Sequence, residues 1–318
     1  MRKLSVFLLA ILFFSCQKNE QSLPSDELNI TQRKCATDEV LKAQLAADPT
    51  LAARMNAIEA FTNRVISNGD ELKRVSNGQI EIPVVVHVLY NKAVENISDA
   101  QIQSQMDVLN EDYNLSNRDN NQVPSLFSSL KANVGVKFIL AQTLRVATSK
   151  KSFNATDGMK YTNKGGSDAV DPGHNLNIWV CNLGQNLLGY AQFPGGKPET
   201  DGVVILYAAF GRTGTVITPY DKGRTTTHEV GHWLNLRHIW GDATCGDDLV
   251  GDTPQHTTAN FGCPAFPHYN SCSDHAVEMT MNYMDYTDDP CMYMFSNGQK
   301  SRMLAVFTAG GPRAVMGQ

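Results

Sequence analysis

The chain begins with an apolar run, continues through a polar stretch and then shows helical periodicity. The apolar run covers residues 4–14, and residues 17–32 are polar with no apolar period. Residues 37–47 and 49–66 repeat apolar side chains at helical spacing, which predicts two helices. Asp48 is placed to cap the second helix, whose first position is a proline that loses little by lacking an N–H there.

Apolar strands dominate the next part of the chain. Polar, turn-rich residues 67–78 mark a boundary, and the β-branched run at 80–90 is typical of a buried strand. Residues 98–113 return to helical spacing. Four further strands are predicted at 136–142, 176–183, 189–193 and 202–210. This alternation of strands with a helix predicts an α/β fold.

The pattern changes after the fifth strand. A helix is predicted from about Gly223, and beyond residue 238 the chain is rich in Gly, Pro, Asp, Thr and Asn. Regular structure returns at residues 296–308, where Ser296 can cap a final helix. The chain therefore divides into an upper α/β part, which ends in the helix from Gly223, and a lower irregular part.

Composition favours an ordinary soluble globular protein, and the N-terminus predicts that it is exported. The 318 residues, 42% hydrophobic and 19% charged, are enough to bury a full core. A net charge of -5 offers no basic patch, so nucleic acid is not an expected partner. Arg2 and Lys3 before the apolar run at 4–14 have signal-peptide form, because the run is too short to span a bilayer. We expect residues 1–15 to be removed.

Cys16 resembles the lipidated cysteine of bacterial lipoproteins, although Phe13 replaces the usual aliphatic residue. The mature chain is expected to be either anchored at the cell envelope through a lipid on Cys16, its only expected membrane contact, or freely secreted. We divide the precursor into a signal peptide at 1–15, a tether and prosegment at 16–78, and a catalytic domain at 79–318. The sequence does not indicate the oligomeric state.

Seven cysteines fit an oxidising compartment. Two disulfides would stiffen the lower part, which has little apolar core, and four cysteines allow three pairings. The four that crowd into this part are Cys245, Cys263, Cys272 and Cys291.

The segment 228–238 reads H-E-V-G-H-W-L-N-L-R-H and carries the candidate chemistry. Residues four apart on a helix share a face, so His228 and His232 can bind one Zn²⁺. Glu229 is the candidate general base, which takes a proton from the attacking water and passes it to the leaving amine. His238 is the third candidate ligand. The stretch predicts a zinc hydrolase centre.

Asn235 stands where the long zinc motif H-E-x-x-H-x-x-G-x-x-H has glycine. The chain must turn sharply there for His238 to reach the metal, and asparagine tolerates the left-handed conformation best after glycine. Downstream, M-N-Y-M-D-Y at 281–286 resembles the methionine turn of the metzincin peptidases. Met284 would be the apolar floor beneath the histidines, and Tyr286 would stabilise the oxyanion.

Together with G-D-T-P at 251–254 and C-M at 291–292, these motifs resemble the pappalysin family of metzincins, particularly its secreted microbial members, over residues 80–318. The resemblance implies a two-subdomain catalytic domain of α/β (α+β) class. Its mixed five-stranded sheet and active-site helix would lie above an irregular, disulfide-tied lower part, after a helical prosegment. It also implies the interleaved disulfides Cys245–Cys272 and Cys263–Cys291.

The resemblance further implies how a substrate binds. The short strand at 189–193 would be an edge strand that pairs antiparallel with an extended peptide, which favours endopeptidase action. Asp288 and Asp289 would line a pocket that favours Arg or Lys just after the cleaved bond. The resemblance also implies a structural Ca²⁺, bound by the hard oxygen ligands of Asp248, Asp252 and Thr253. A loop of solvated acidic residues is the alternative interpretation of the same segment.

The segment R-K-C-A-T at 33–37 resembles the prosegment cysteine motif of some pappalysins. A thiolate is a good Zn²⁺ ligand, so Cys35 would bind the metal in a latent form and displace the catalytic water. A disulfide with Cys181 is the competing interpretation, since both cysteines are left over. Activation would require cleavage within the polar segment before residue 80.

The sequence therefore predicts a zinc endopeptidase made as a latent precursor, with proteins or peptides as substrates. The alternative from another class is a non-catalytic, zinc-stabilised binding or adhesion module. That alternative fits less well, because Glu229 and the predicted edge strand are both present. An exopeptidase that trims single residues is the third interpretation.

Overall fold

The computed structural model describes residues 28, 30–69 and 79–316. The predicted signal peptide, Cys16 and residues 70–78 of the linker lie outside the described residues, so the division of the precursor at these points stays a prediction. Within the described ranges, no helix is both long enough and apolar enough to cross a membrane.

Two helices precede the sheet: α1 is Thr37–Ala47 and α2 is Leu51–Asn68. The bounds of α1 are those predicted. The second helix starts two residues later than predicted, because Asp48 closes a turn before it. The Asp48 carboxylate accepts the N–H of Thr50 at 3.0 Å, and its carbonyl accepts the N–H of Leu51 at 3.1 Å.

The described residues of the catalytic part form one five-stranded sheet with three α-helices. The strand order is β2-β1-β3-β5-β4, in which the first four strands are parallel and β4 is antiparallel to β5. The predicted α/β class and mixed sheet are confirmed. The elements are β1 (Ile80–Tyr90), α3 (Asp99–Tyr113), β2 (Val136–Ala147), β3 (Leu176–Cys181), β4 (Gly189–Ala191), β5 (Val203–Leu206), α4 (Arg224–Trp233) and α5 (Asn297–Ala305).

Strand β1 is buried on both faces. Val84, Val86 and Val88 are fully buried, and Val85 between them is almost as inaccessible. Parallel strands covered on both faces read as continuous apolar runs, which is why this strand was predictable to its ends. Helix α3 packs against β2 and α4, and its Ser98 cap accepts the N–H of Gln101 at 3.1 Å.

Four strands differ in length from the prediction. β3 and β4 each end two residues early, at Cys181 and Ala191, and β2 and β5 differ more. β2 continues five residues past 142, because it is an edge strand whose outer positions tolerate polar side chains such as Arg145 while the ladder to β1 runs on to Tyr90 and Ala147. β5 ends earlier than predicted, at Leu206. Residues Tyr207–Ala209 wind into a 3-10 turn instead, which turns the chain away from the sheet.

The chain after α4 has little regular structure. Among its described residues, α5 is the one α-helix, and Ser296 caps it by accepting the N–H of Gln299 at 3.1 Å. Cys35 and Cys181 are free and buried, so the alternative disulfide between them is absent. The lower part is tied by the expected interleaved disulfides, Cys245–Cys272 and Cys263–Cys291.

Candidate metal centre and cleft

Three histidine nitrogens converge at the end of α4. His228 and His232 lie one helical turn apart, and their Nε2 atoms are 3.2 Å from each other. The chain returns after the helix so that His238 Nε2 lies 3.1 Å from His232 Nε2. Nitrogen ligands about 2.0–2.1 Å from a tetrahedral Zn²⁺ would lie about 3.3–3.4 Å apart, so the three atoms fit one ion.

Each ring is held by a hydrogen bond at its other nitrogen. Nδ1 of His228 lies 2.7 Å from the carbonyl oxygen of Tyr283, and Nδ1 of His232 lies 2.8 Å from that of Leu236. Nδ1 of His238 lies 2.5 Å from Oδ1 of Asp242. These bonds leave Nε2 of each ring to face the metal.

Asp242 was not singled out from the sequence. The signal was present, because Asp242 follows His238 by four residues, but the same spacing occurs often without such a contact. In the structure the Asp242 carboxylate orients the third histidine, as carboxylates commonly do behind metal-bound imidazoles. We therefore assign Asp242 as a positioning residue for the metal site.

The donor set suits zinc. Burial, together with the neighbouring histidines, lowers the pKa of His228 and His232 well below the usual value, so these rings are neutral as metal ligation requires. The Cys35 thiol joins the three histidines, and the four candidate ligand atoms lie within 4.8 Å of one another. In the described part of the chain, this is the one cluster of three or more such side chains.

Asn235 makes the turn that brings His238 back. Its φ is 74°, in the left-handed region that the sharp turn requires. The N–H of Asn235 donates to the backbone carbonyl of His232 at 2.9 Å. The next N–H, of Leu236, donates to the backbone carbonyl of Gly231 at 3.0 Å. The helix is therefore closed by backbone hydrogen bonds although glycine is absent from this position.

Met284 lies beneath the helix, fully buried. Its packing explains Gly231 between the first two histidines, because a Cβ there would lie 2.5 Å from the Met284 sulfur. The Met284 carbonyl accepts the N–H of Ile239, next to the third histidine, at 3.1 Å. Met284 thus packs against α4 at Gly231 and also holds the chain beside His238.

Glu229 faces the cleft but is covered by the prosegment. Its Oε2 atom accepts hydrogen bonds from the Cys35 thiol at 3.2 Å and the Thr37 hydroxyl at 3.1 Å. Burial raises the pKa of Glu229 to about 8. β4 packs against it so closely that a Cβ at Gly189 would lie 3.0 Å from the Glu229 Cγ.

Tyr286 lies on the other side of the histidines. Its ring centroid is 5.7 Å from that of His228 and 4.9 Å from that of His238. Burial and the nearby acidic groups raise the pKa of Tyr286 well above the usual value, so the hydroxyl is protonated. It donates to the carbonyl oxygen of Cys35 at 3.1 Å.

The side chain of Arg33 is buried between the start of α4 and the segment after the methionine turn. Its guanidinium is 2.5 Å from Oδ1 of the fully buried Asp289 and also donates to the Thr287 carbonyl at 3.1 Å. Oδ2 of Asp289 accepts two backbone N–H groups from the start of α4, at 2.9 and 3.2 Å. Asp288, by contrast, is only partly buried and lies outside this pair. Sequence reasoning named Asp289 but missed Arg33 as its partner.

The prosegment pairs with the edge strand β4. Cys35 and Gly189 form a parallel bridge, in which the N–H of Ala36 donates to Gly189 at 3.1 Å and the N–H of Leu188 donates to Lys34 at 3.0 Å. The prosegment therefore occupies the edge of the sheet at β4.

The predicted calcium ligands lie in the lower part. The buried Asp248 carboxylate accepts the Thr253 hydroxyl at 2.9 Å and the N–H of Val250 at 3.1 Å. Asp252 points elsewhere, since it accepts the Ser296 hydroxyl at 2.6 Å and the N–H of Gly298 at 2.8 Å. Asp252 therefore supports the start of α5, and the three residues do not share one hydrogen-bonded cluster.

A buried three-histidine centre on an H-E-x-x-H helix, a methionine floor and an edge strand that pairs with an extended segment together define a zinc metalloendopeptidase of the metzincin type. The comparisons with known proteins agree. The family model described as Pregnancy-associated plasma protein-A, peptidase family M43, matches residues 153–308. An extracellular metalloprotease of Arthroderma otae is 32% identical over 257 residues, which cover 78% of this chain and 86% of the relative.

Solved structures are similar as well. Mature mirolysin of Tannerella forsythia in complex with a cleaved peptide is 49% identical with a TM-score of 0.73, over 77% of this chain and 97% of the other. A promirolysin mutant of the same organism is 44% identical with a TM-score of 0.81, over 90% of this chain and 97% of the other. The chain belongs to the pappalysin family, and its likeness to promirolysin supports a zymogen.

Proposed function

We propose that this protein is an exported zinc endopeptidase that cleaves on the amino side of Arg and Lys, and that Cys35 keeps it latent as a ligand of the metal. The observation that carries the proposal is the pair of prosegment contacts in the cleft. The Arg33 guanidinium fills the Asp289 pocket, while the Cys35 thiol joins the three histidines.

Substrate would lie along the edge of the sheet. β4 offers backbone N–H and C=O groups to any extended peptide, which suits binding within a chain rather than at one end. The Asp289 carboxylate would hold a basic side chain just after the cleaved bond, as it holds Arg33. A charge-assisted pair of this kind, buried from water, favours Arg and Lys over neutral residues.

Glu229 and Tyr286 would perform the proton transfer and charge stabilisation. His228, His232 and His238 would hold Zn²⁺, which when bound lowers the pKa of water and polarises a carbonyl group. Glu229 would take the proton of the attacking water and deliver it to the leaving amine. The Tyr286 hydroxyl would donate to the developing oxyanion, as it donates to the Cys35 carbonyl in the latent chain.

Latency follows from two features of the prosegment: it occupies the cleft, and its chain direction differs from that expected for a substrate. The Thr37 hydroxyl donates to Glu229, so the general base stays engaged when Cys35 gives up its proton to bind the metal. The prosegment also runs parallel to β4, whereas a substrate is expected to run antiparallel. The prosegment can therefore fill the Asp289 pocket with Arg33 without presenting a peptide bond in the direction that is cleaved.

The specificity is tested by Asp289→Asn with Asp288→Asn as the matched control. After prosegment removal, products from a mixed proteome are identified by mass spectrometry, and kcat/KM is measured on peptides that differ only in Arg or Gln after the cleaved bond. We expect Asp289→Asn to lower the preference for Arg on the order of 100-fold, since a buried charge-assisted pair is lost. An unchanged preference in Asp289→Asn would refute the assignment of the pocket.

The zinc switch is tested by cobalt substitution of the Glu229→Ala precursor, which cannot process itself. A thiolate-to-cobalt charge-transfer band is expected in this chain and should vanish when Cys35 is also replaced by Ser. Cys181→Ser is the control for thiol chemistry elsewhere. The same band in the chain without Cys35 would exclude this residue as the ligand.

Two further parts of the proposal concern location and calcium. The relatives named extracellular metalloproteases support secretion, and Cys16 offers a lipid attachment point. If the Cys16→Ala chain incorporates as much labelled fatty acid as the parent, the anchor at Cys16 is refuted.

Ca²⁺ would bind through Asp248 and Thr253. Asp252 would join them either after leaving its contacts with α5 or from its place beside that helix. Calorimetry with Ca²⁺ and the Asp248→Asn variant tests this site.

A further inference from the structure

Helix α2 of the prosegment contacts the catalytic part outside the cleft, at the turn between the second and third histidines. The side-chain amide of Asn235 donates to the Thr62 hydroxyl at 3.4 Å. Thr62 is 1% exposed, so this contact is shielded from water. Asn235 stands where the long zinc motif has glycine, and glycine could not make this contact. The departure from the motif is therefore the point that the prosegment touches.

A charge pair lies beside this contact. Both Oε atoms of Glu59 are 2.8 Å from the two Nη atoms of Arg302 on α5. The Arg302 side chain is 2% exposed and that of Glu59 is 26% exposed. This is a bidentate pair, the geometry in which arginine binds a carboxylate most strongly. Arg302 also donates to the carbonyl of Asn235 at 3.4 Å, which links the pair to the same turn.

The contact area on α2 runs from Arg54 to Thr62. Near its start, Arg54 Nε donates to the carbonyl of Gly195, in the loop after β4, at 2.8 Å. Between Glu59 and Thr62, the Phe61 ring lies against Gly310 in the C-terminal segment. We call the catalytic residues under α2 the α2 footprint, and define it as Gly195, Asn235, Arg302 and Gly310.

We propose that the α2 footprint is a docking surface that keeps the prosegment bound after the linker at residues 70–78 has been cut, so that linker cleavage alone does not open the cleft. The proposal rests on the latency described above and names a second element of it. The linker joins α2 to β1, and none of the contacts of Glu59 or Thr62 with the footprint depends on it. The bound partner is this chain's own helix, severed but still docked.

Two anchors on one piece of chain strengthen each other. The cleft anchor is Arg33 with Cys35, and the second anchor is Glu59 with Thr62. While either anchor stays bound, the other is held near its site at high effective concentration and rebinds before the prosegment can leave. Release therefore requires both to open together or a further cut between them.

The mature enzyme would retain this surface. Once α2 has left, the two Nη groups of Arg302 keep their contacts with the carbonyls of Leu249 and Asn235 and lose their carboxylate partner, so they can bind another carboxylate there. The footprint is thus a site outside the cleft that takes a helix with one acidic residue, and the severed prosegment is the occupant the structure shows.

The experiment uses the full chain with Glu229→Ala, which cannot digest itself, and a recognition site for a specific protease inserted within residues 70–78. The chain is immobilised by a C-terminal tag and cut, and loss of the severed prosegment is followed over time. The parent should retain it. Glu59→Gln should release it at least about tenfold faster, since the partner of a buried charge is removed. Cys35→Ala should also speed release, and the two rate factors should multiply in the double variant.

Glu39→Gln is the matched control, because it makes the same change on an exposed side chain of α1 and should leave the release rate unchanged. Prompt loss of the parent's prosegment on cutting, or equal rates for the parent and Glu59→Gln, would overturn the docking surface. If circular dichroism shows that Glu59→Gln has lost α2 before cutting, Thr62→Ala asks the same question, and a release rate equal to the parent's overturns the proposal.

The assay uses no peptide hydrolysis, so it separates two failures. A wild-type chain that is cut, stripped of its prosegment and loaded with zinc, yet cleaves no protein substrate, would refute the endopeptidase and leave the retention result standing. A wild-type chain that is fully active as soon as the linker is cut would refute the docking surface and leave the endopeptidase standing.

Discussion

The upper and lower parts of the catalytic domain hold the same metal site by different means. In the upper part, sheet ladders satisfy the backbone, and the inner strands β1, β3 and β5 bury apolar side chains on both faces. In its described residues the lower part has one α-helix, so side-chain hydrogen bonds and disulfides hold its backbone in place. Asp285, for example, accepts the N–H and the side-chain amide of Asn260 at 2.8 and 3.0 Å.

The difference matters because the site is shared. The upper part supplies His228, Glu229 and His232 from one rigid helix, whereas the lower part supplies His238 and Tyr286 from irregular chain. An irregular segment loses more entropy on ordering for each contact it makes, so it needs covalent ties and buried polar bonds to hold a side chain in place. We expect the lower part to be the more easily disturbed half of the site.

The largest effect should come from removing a tie in the lower part. Replacing Cys263 and Cys291 by Ser should lower the free energy of unfolding by about 2–5 kcal/mol and loosen Tyr286 while the sheet persists. Ile178→Ala in the upper core should cost a similar amount, about 2–5 kcal/mol, through a cavity. Urea unfolding with and without reductant distinguishes the two variants. Reductant should further lower the free energy of unfolding of Ile178→Ala, which keeps both disulfides, and should lower that of the double Ser variant less. An unchanged urea midpoint for the double variant would contradict the comparison.

A pH effect should also arise in the lower part. Burial raises the pKa of Asp248 to about 7, so folding favours its protonated form. Its ionisation therefore opposes folding, and the free energy of unfolding should fall by up to roughly 4 kcal/mol as pH rises from about 4 to about 7. Asp248→Asn should flatten this slope in thermal unfolding, and Ca²⁺ should reduce it if the ion binds the carboxylate. A slope that Asp248→Asn leaves intact would assign the effect to another group.

A smaller effect should follow from loosening the third histidine. Asp242→Asn keeps the hydrogen-bonding shape but removes the charge behind His238, and should weaken zinc affinity about 10–100-fold. Chelator competition measures this without any activity assay. Asp221→Asn, a change at a half-buried carboxylate in the upper part that accepts the Thr218 hydroxyl, is the control and should leave the affinity unchanged. Equal affinities for Asp242→Asn and the parent would show that the lower part needs no such support.

The smallest effect should come from Asn235→Gly. Glycine suits the φ of 74° but gives the unfolded chain more freedom, and the two terms differ by about 1 kcal/mol or less. Zinc affinity should therefore change little, while the contact with Thr62 is lost. A large loss of zinc affinity on titration with a chelator would mean that the Asn235 side chain, and not just its backbone, shapes the turn.

Local patterns predicted much of the upper part. α1 and β1 have the predicted bounds, because helical spacing and a continuous buried run are properties of neighbouring residues. The pattern failed where burial was one-sided, as in β2. Polar residues at its exposed positions interrupt the apolar pattern, so the last five residues of the strand were not predicted. In the lower part, sequence located the final helix and the cysteines but left their pairing to the family resemblance.

The sequence by itself determined the chemistry that depends on spacing. His228, Glu229 and His232 share a helix, so their relation is set by its period of 3.6 residues. Only the tertiary structure decided which distant groups meet: Arg33 with Asp289, Cys35 with Glu229, and Glu59 with Arg302. The physical reason is that a period fixes the face of one element, whereas partners some 200 residues apart depend on how separate elements pack and on which polar groups that packing buries together.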